Sequence, residues 1–256
     1  MSQNLSSGSQ PHEADLDRPL YTPIKRRSFF MYAGATAGAT ALVLAGCKDD
    51  NNSSPGMVNV GSGDVGVLNY AYALEQLEAD FYTQVRSGSY YTGATAAEKA
   101  IFDDLYYHEV IHRDFLRTAI TNAGATPIKA LTTVYPTGTF NSRNTVLATA
   151  KAFEDLGVAA YNGAGQYINT AQYLFIAGKI VSVEARHAAI IRDLVTENSF
   201  VGNDVITLSS AGTSSLATNN SPANSSLERS MTPTEVVAVA NTFLADGSKL
   251  DVSGIR

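Results

Sequence analysis

The 256-residue sequence predicts an all-α fold, a four-helix bundle closed by a short fifth helix. Three observations lead there. Four segments of 20–28 residues contain no proline and repeat their apolar residues at spacings of three and four. Two of the connections between them are short and one is long, as an antiparallel bundle with a single crossover requires. Each of the four segments also carries a glutamate inside its apolar stripe.

The elements follow in chain order. Residues 1–24 are polar and rich in Ser, Asp and Pro. Lys25-Arg26-Arg27-Ser28-Phe29-Phe30 then opens a weakly apolar run that ends in Leu44-Ala45-Gly46-Cys47. A charged start, an apolar middle and small residues at the end are the parts of an export signal. The arginine pair resembles a twin-arginine signal, and Leu-Ala-Gly-Cys resembles a lipobox, so residues 1–46 are expected to be cleaved and Cys47 to be acylated. An uncleaved anchor is the alternative, since Phe29–Gly46 is barely long enough to span a bilayer. Residues 47–64, rich in Asn, Ser and Gly, read as a flexible tether.

The bundle is expected over residues 65–198. Helix one runs from about Gly66 to Val85, and helix two from about Ala96 to Asn122, with Gly124 as its stop. Residues 123–143, containing Pro127, Pro136 and Gly138, form the long link. Helix three covers about Asn144–Tyr167 and helix four about Ala171–Asn198. Residues 199–256 hold a Ser/Thr/Asn-rich loop and then Thr232-Pro233-Thr234-Glu235, a helix start.

Composition bounds the function. The chain carries 18 Lys and Arg against 24 Asp and Glu, a formal charge of −6, which argues against nucleic acid as a partner. Its single Cys excludes an intrachain disulfide and any Cys-based zinc or iron–sulfur centre.

The carboxylates carry the chemistry. At 100° per residue, Glu75 is flanked by Leu68, Ala71, Tyr72, Ala79 and Tyr82, and Glu109 by Phe102, Leu105, Tyr106 and Leu116. Glu154 has Leu147, Ala150, Val158 and Tyr161 around it, and Glu184 has Ala177, Ile180, Val181, Ala188 and Ile191. His112 and His187 follow three residues after Glu109 and Glu184 on the same faces. A single such glutamate is ordinarily a solvated edge residue, and a single such histidine an ordinary core residue. Four carboxylates converging on one core are too costly to bury unpaired. Two divalent ions would neutralise them, and two imidazoles would complete the coordination. Iron or manganese suits that donor set, zinc less clearly.

An internal repeat adds to this. Ala73-Leu74-Glu75-Gln76-Leu77 matches Ala152-Phe153-Glu154-Asp155-Leu156, and each Glu is followed seven residues later by a Tyr, Tyr82 or Tyr161. Glu109-x-x-His112 matches Glu184-x-x-His187, and Arg117 aligns with Arg192. Two related hairpins would hold two equivalent ions between them, with Tyr82 and Tyr161 as core residues or as hydrogen-bond partners of the ligands. Glu78 also lies near an apolar stripe, and periodicity does not choose between it and Glu75. The repeat does, because Glu78 aligns with Gly157; Glu78 then flanks the ligands, paired with a basic residue.

These six positions resemble the ferritin-like superfamily of di-iron and di-manganese carboxylate proteins, whose ligand set is one Glu from each of two helices and a Glu-x-x-His from each of the others. Leu74-Glu75-Gln76-Leu77-Glu78-Ala79-Asp80-Phe81-Tyr82 and the export-like N-terminus resemble bacterial exported ferritin-like proteins of the desiccation-related type. The resemblance implies two Fe or Mn ions on Glu75, Glu109, His112, Glu154, Glu184 and His187. Oxidation of Fe(II) by O2 or peroxide, or peroxide removal, is the implied chemistry. A non-enzymatic envelope stress protein, with a structural metal or none, is the alternative. Many members carry Asp just before each Glu-x-x-His, holding the His of the opposite motif; here His108 and Val183 stand there, and His108 is expected to be exposed or to lie behind a ligand. The chain is expected in the cell envelope or periplasm, lipid-anchored through Cys47; a lipid anchor fits poorly with a closed storage shell.

Overall fold

The computed structural model describes residues 56–202, 204–206 and 227–256. The proposed signal, Cys47 and the first half of the tether lie outside the described residues.

Helix α1, Gly63–Ser87, is the centre of the bundle. Its sequence is apolar on most sides, and Gly66–Glu75, Leu77–Ala79, Phe81, Tyr82 and Val85 are all buried. Asp64 in its first turn accepts hydrogen bonds from the backbone N–H groups of Asn169 (2.7 Å) and Thr170 (2.9 Å), which pins the start of α1 to the loop before the last long helix. A single short turn of helix, α2 (Ser89–Gly93), leads to α3 (Ala96–Asn122). Thr95 and Glu98 close the N-terminus of α3 as a reciprocal capping box. Gly124, with φ +75°, turns the chain out of it, as expected of a helix stop.

The long link then crosses α1. Asn69, Gln76 and Asp80 form a polar line along α1, and each holds the link. Asn69 Oδ1 accepts from the Ile128 N–H (3.0 Å), Gln76 Oε1 from the Leu131 N–H (2.9 Å), and Asp80 Oδ2 from the Thr133 and Tyr135 hydroxyls (2.7 and 3.0 Å). The link is therefore an ordered strap. Its backbone is satisfied partly by these side chains and partly by the segment after the last helix, where Val134 N–H donates to the Phe243 carbonyl (2.8 Å) and the Thr132 carbonyl accepts from Ala245 N–H (2.9 Å).

Helix α4, Arg143–Ala164, is capped by Ser142 and ends in a tight 3-10 turn, Gly165–Tyr167. Helix α5 is Ala171–Val195. α1 packs on α3, α4 on α5, and α1 meets α4 across the middle. Helix three thus stops at Ala164 and helix four at Val195, each three residues short of expectation, as fraying ends commonly do.

The C-terminal segment returns over α4. Met231 N–H donates to the Ala159 carbonyl at 3.0 Å, and the crossing is so close that a Cβ on Gly163 would stand 1.8 Å from the Met231 carbonyl oxygen. Helix α6, Pro233–Ala240, is the expected fifth helix, opened by a Thr232–Glu235 capping box with proline in its first turn. Beyond it, β2 (Leu250–Asp251) pairs in parallel with β1 (Val58–Asn59). Residues 58–64 therefore fold as part of the bundle cap and helix α1, and not as tether. Two-residue strands are too short to show a period, so only the pairing reveals them.

Candidate metal centre

Glu75 comes from α1, Glu109 and His112 from α3, Glu154 from α4, and Glu184 and His187 from α5. All four glutamates are fully buried. The six side chains meet as two overlapping groups, Glu75–Glu109–His112–Glu184 and Glu109–Glu154–Glu184–His187, with the donor atoms of each within 4.8 Å of one another. Glu109 and Glu184 belong to both. His112 Nδ1 lies 2.9 Å from Glu184 and 3.5 Å from both Glu75 and Glu109. His187 Nδ1 lies 2.7 Å from Glu109, 3.5 Å from Glu154 and 3.7 Å from Glu184.

The two tyrosines tie the halves together by exchange. Tyr82 of α1 donates to Glu154 Oε1 of α4, and Tyr161 of α4 donates to Glu75 Oε1 of α1 at 2.5 Å. Each hydroxyl engages one carboxylate oxygen and leaves Oε2 of the same group free. Burial first, and then the facing carboxylate, holds both phenol pKa values well above the ordinary range, so both hydroxyls remain donors.

The donor set fits cations. Glu75 Oε2, Glu154 Oε2, both oxygens of Glu109 and of Glu184, and Nδ1 of His112 and His187 are all buried without a well-formed hydrogen bond. Orphaned buried acceptors of this kind are costly. In the metal-free protein the imidazoles compensate in part. Burial opposes protonation of His112, but Glu109, Glu184 and Glu75 outweigh it and push its pKa up to about 12. His187 is raised in the same way, burial again being overcome by Glu154, Glu109 and Glu184. Glu109 and Glu154 are held above the carboxylate range mainly by burial, whereas the two imidazoles overcome burial at Glu184 and lower it. Carboxylate with imidazole and no thiolate is a donor set suited to iron or manganese.

Glu78 differs from expectation. It is buried, but no basic residue among the described residues faces it; after burial itself, the charges of Glu184, Glu109, Glu75 and Glu154 raise its pKa well above the usual value. It lies beside Gly157, where a Cβ would sit 2.9 Å from its Oε1, and lines a cleft of ~10 Å³ with room for about one water. The repeat aligns these two positions, and the fold brings them into contact: the missing side chain at 157 is what admits the carboxylate at 78. Because its folded pKa is raised, Glu78 costs the metal-free protein stability above pH ~4.5, and the cost grows as pH rises toward the folded pKa. Glu78→Gln should therefore raise the metal-free melting temperature at pH 7, by roughly 1–3 kcal/mol of stability. The gain should shrink toward pH 4. Thermal melts showing a lower or unchanged value at pH 7 would contradict this.

His108 is exposed, yet its Nδ1 meets His187 Nε2 at 2.8 Å with the ring planes 10° from parallel. Burial first, then His187 and His112, lowers its pKa. A further contact was not foreseen from sequence. Arg192, buried one turn beyond His187, pairs through two nitrogens with Asp155 (2.7 and 2.8 Å) and through two with Asp204 (2.9 and 2.8 Å). Asp155 adjoins Glu154, so this pair braces α4 against α5 beside the centre. Arg117, its partner in the repeat, is exposed. The signal available was the Glu154-Asp155 doublet opposite a helix bearing Arg192.

A helical bundle with a buried carboxylate–imidazole cluster shared among four helices is the class that fold and site define. Residues 63–197, just over half the chain, match the profile described as Ferritin-like domain, and the chain belongs to that family. No curated protein matches it.

Proposed function

We propose that this is an exported ferritin-like protein holding two iron or manganese ions in one carboxylate-bridged centre. The observation that carries the reading is the overlap of the two donor groups at Glu109 and Glu184. Each ion would have one terminal glutamate, Glu75 or Glu154, and one imidazole, His112 or His187, with Glu109 and Glu184 between them. Four carboxylates and two divalent ions are neutral together. When bound, such a pair supplies redox electrons to O2 or peroxide, so Fe(II) oxidation or peroxide removal is the proposed activity. Tyr82 and Tyr161 would keep Glu154 and Glu75 oriented through the reaction, and the apolar clusters on either side would exclude bulk water.

For location, the Lys25–Phe30 and Leu44–Cys47 motifs support twin-arginine export and a lipid on Cys47, with the bundle at the envelope in the manner of the desiccation-related type. Mass spectrometry of the extracted protein should show residues 1–46 removed and Cys47 acylated; an unmodified N-terminus elsewhere would refute it. For activity, the full chain loaded anaerobically with Fe(II) should consume O2 and lose that ability when Glu109 is replaced. Two bound ions without oxygen or peroxide consumption would favour the structural-metal alternative.

A further inference from the structure

His112 and His187 occupy matching positions in the two hairpins, but their surroundings differ. His187 turns Nδ1 toward Glu109, Glu154 and Glu184, which leaves Nε2 at the outer edge of its ring, 2.8 Å from His108 Nδ1. The two ring centroids lie 5.1 Å apart with the planes 10° from parallel, so the rings meet edge to edge through these nitrogens. Behind His112 the repeat places Val183 where His108 stands, and valine has no polar atom. His112 Nε2 has no protein hydrogen-bond partner among the described residues.

An imidazole that offers its Nδ1 lone pair to a cation must carry its proton on Nε2. A fixed acceptor for that proton sets the ring orientation and tautomer and strengthens the donor nitrogen. His108 Nδ1 is such an acceptor, and its own proton then sits on Nε2 toward solvent.

We propose that His108 is a positioning residue for His187, so that the centre holds its two ions unequally, the one at Glu109–Glu154–Glu184–His187 more tightly than the one at Glu75–Glu109–His112–Glu184. This rests on the two-ion reading above. The ligands are matched pairwise, and the hydrogen bond between His108 and one imidazole has no counterpart at the other among the described residues.

The test is titration of chelator-stripped full-length protein with Co(II), read by visible absorption and by competition with a chelator of known affinity. The wild type should fill in two resolved steps. His108→Ala should weaken the tighter step by roughly 10–100-fold and leave the weaker one in place. His108→Leu, which keeps a packing surface but no acceptor, should behave like the alanine variant. His108→Asn, whose side-chain oxygen can stand where Nδ1 does, should recover most of the loss. Melting of each metal-free variant separates positioning from folding. Wild-type steps of equal affinity would overturn the inference, as would variants that bind like wild type, or equal weakening of both steps alongside a lower metal-free melting temperature. A folded wild type that takes up no Co(II) would instead defeat the two-ion reading itself, and this inference with it.

Discussion

Supplying the metal-free protein with free Fe(II) or Mn(II) at about a hundred times Kd should raise its melting temperature by ~10–20 °C. Ligand present at a hundred times Kd stabilises by about 2.7 kcal/mol per site, or ~5 kcal/mol for two, and 1 kcal/mol moves a domain of this size by about 2–4 °C. The effect should grow with pH. In the metal-free protein His112 has its pKa raised to about 12, so its protonated form contributes stability that is fully present below pH ~6.5 and is lost as pH rises through about 12. A metal must displace that proton and the one on His187, and any proton on Glu109 or Glu154. Apparent affinity should thus rise up to tenfold per pH unit for each proton displaced, and the thermal shift should be larger at pH 8 than at pH 6. Calorimetry in buffers of different ionisation enthalpy would count the protons. Metal uptake with no proton release, or a shift that shrinks with rising pH, would contradict the site as described.

Substituting the shared and the terminal glutamates should give different stoichiometries. Glu109 and Glu184 each lie in both donor groups, so Glu184→Gln or Glu109→Gln should abolish tight binding of both ions. Glu75 and Glu154 each lie in one, so Glu75→Gln or Glu154→Gln should leave about one equivalent. Glu78, outside both groups, should retain two when changed to Gln. Elemental analysis after gel filtration distinguishes these outcomes. A Glu184→Gln protein that keeps two ions would remove the bridging role, and a Glu78→Gln protein that loses one would bring Glu78 into the ligand set. The tyrosines provide a milder series. Tyr161→Phe should affect only the Glu75 side and Tyr82→Phe only the Glu154 side, because each hydroxyl reaches one carboxylate.

Much of this protein is determined by the sequence alone, wherever the signal is periodic. Helices α1, α3, α4 and α5 each run for about six to seven turns, longer than local noise imitates, so their apolar repeats show both their existence and their inward faces. The same periodicity places Glu75, Glu109, Glu154 and Glu184 on those faces, and the repeat picks out Tyr82 and Tyr161. The fifth helix is legible in Thr232-Pro233-Thr234-Glu235 because capping is a local chemistry. What crosses between helices is not local, and only the tertiary structure decided it. The Tyr82–Glu154 and Tyr161–Glu75 exchange depends on how two hairpins are rotated against each other. The contact of Glu78 with Gly157 depends on how closely α1 approaches α4. The binding of the link by Asn69, Gln76 and Asp80, and the β1–β2 pair, join segments far apart in the chain whose own patterns are silent. His108 is the sharpest case: the sequence leaves it either exposed or behind a ligand, and the choice of His187 as its partner is made only where α3 and α5 bring two imidazole rings within hydrogen-bonding distance.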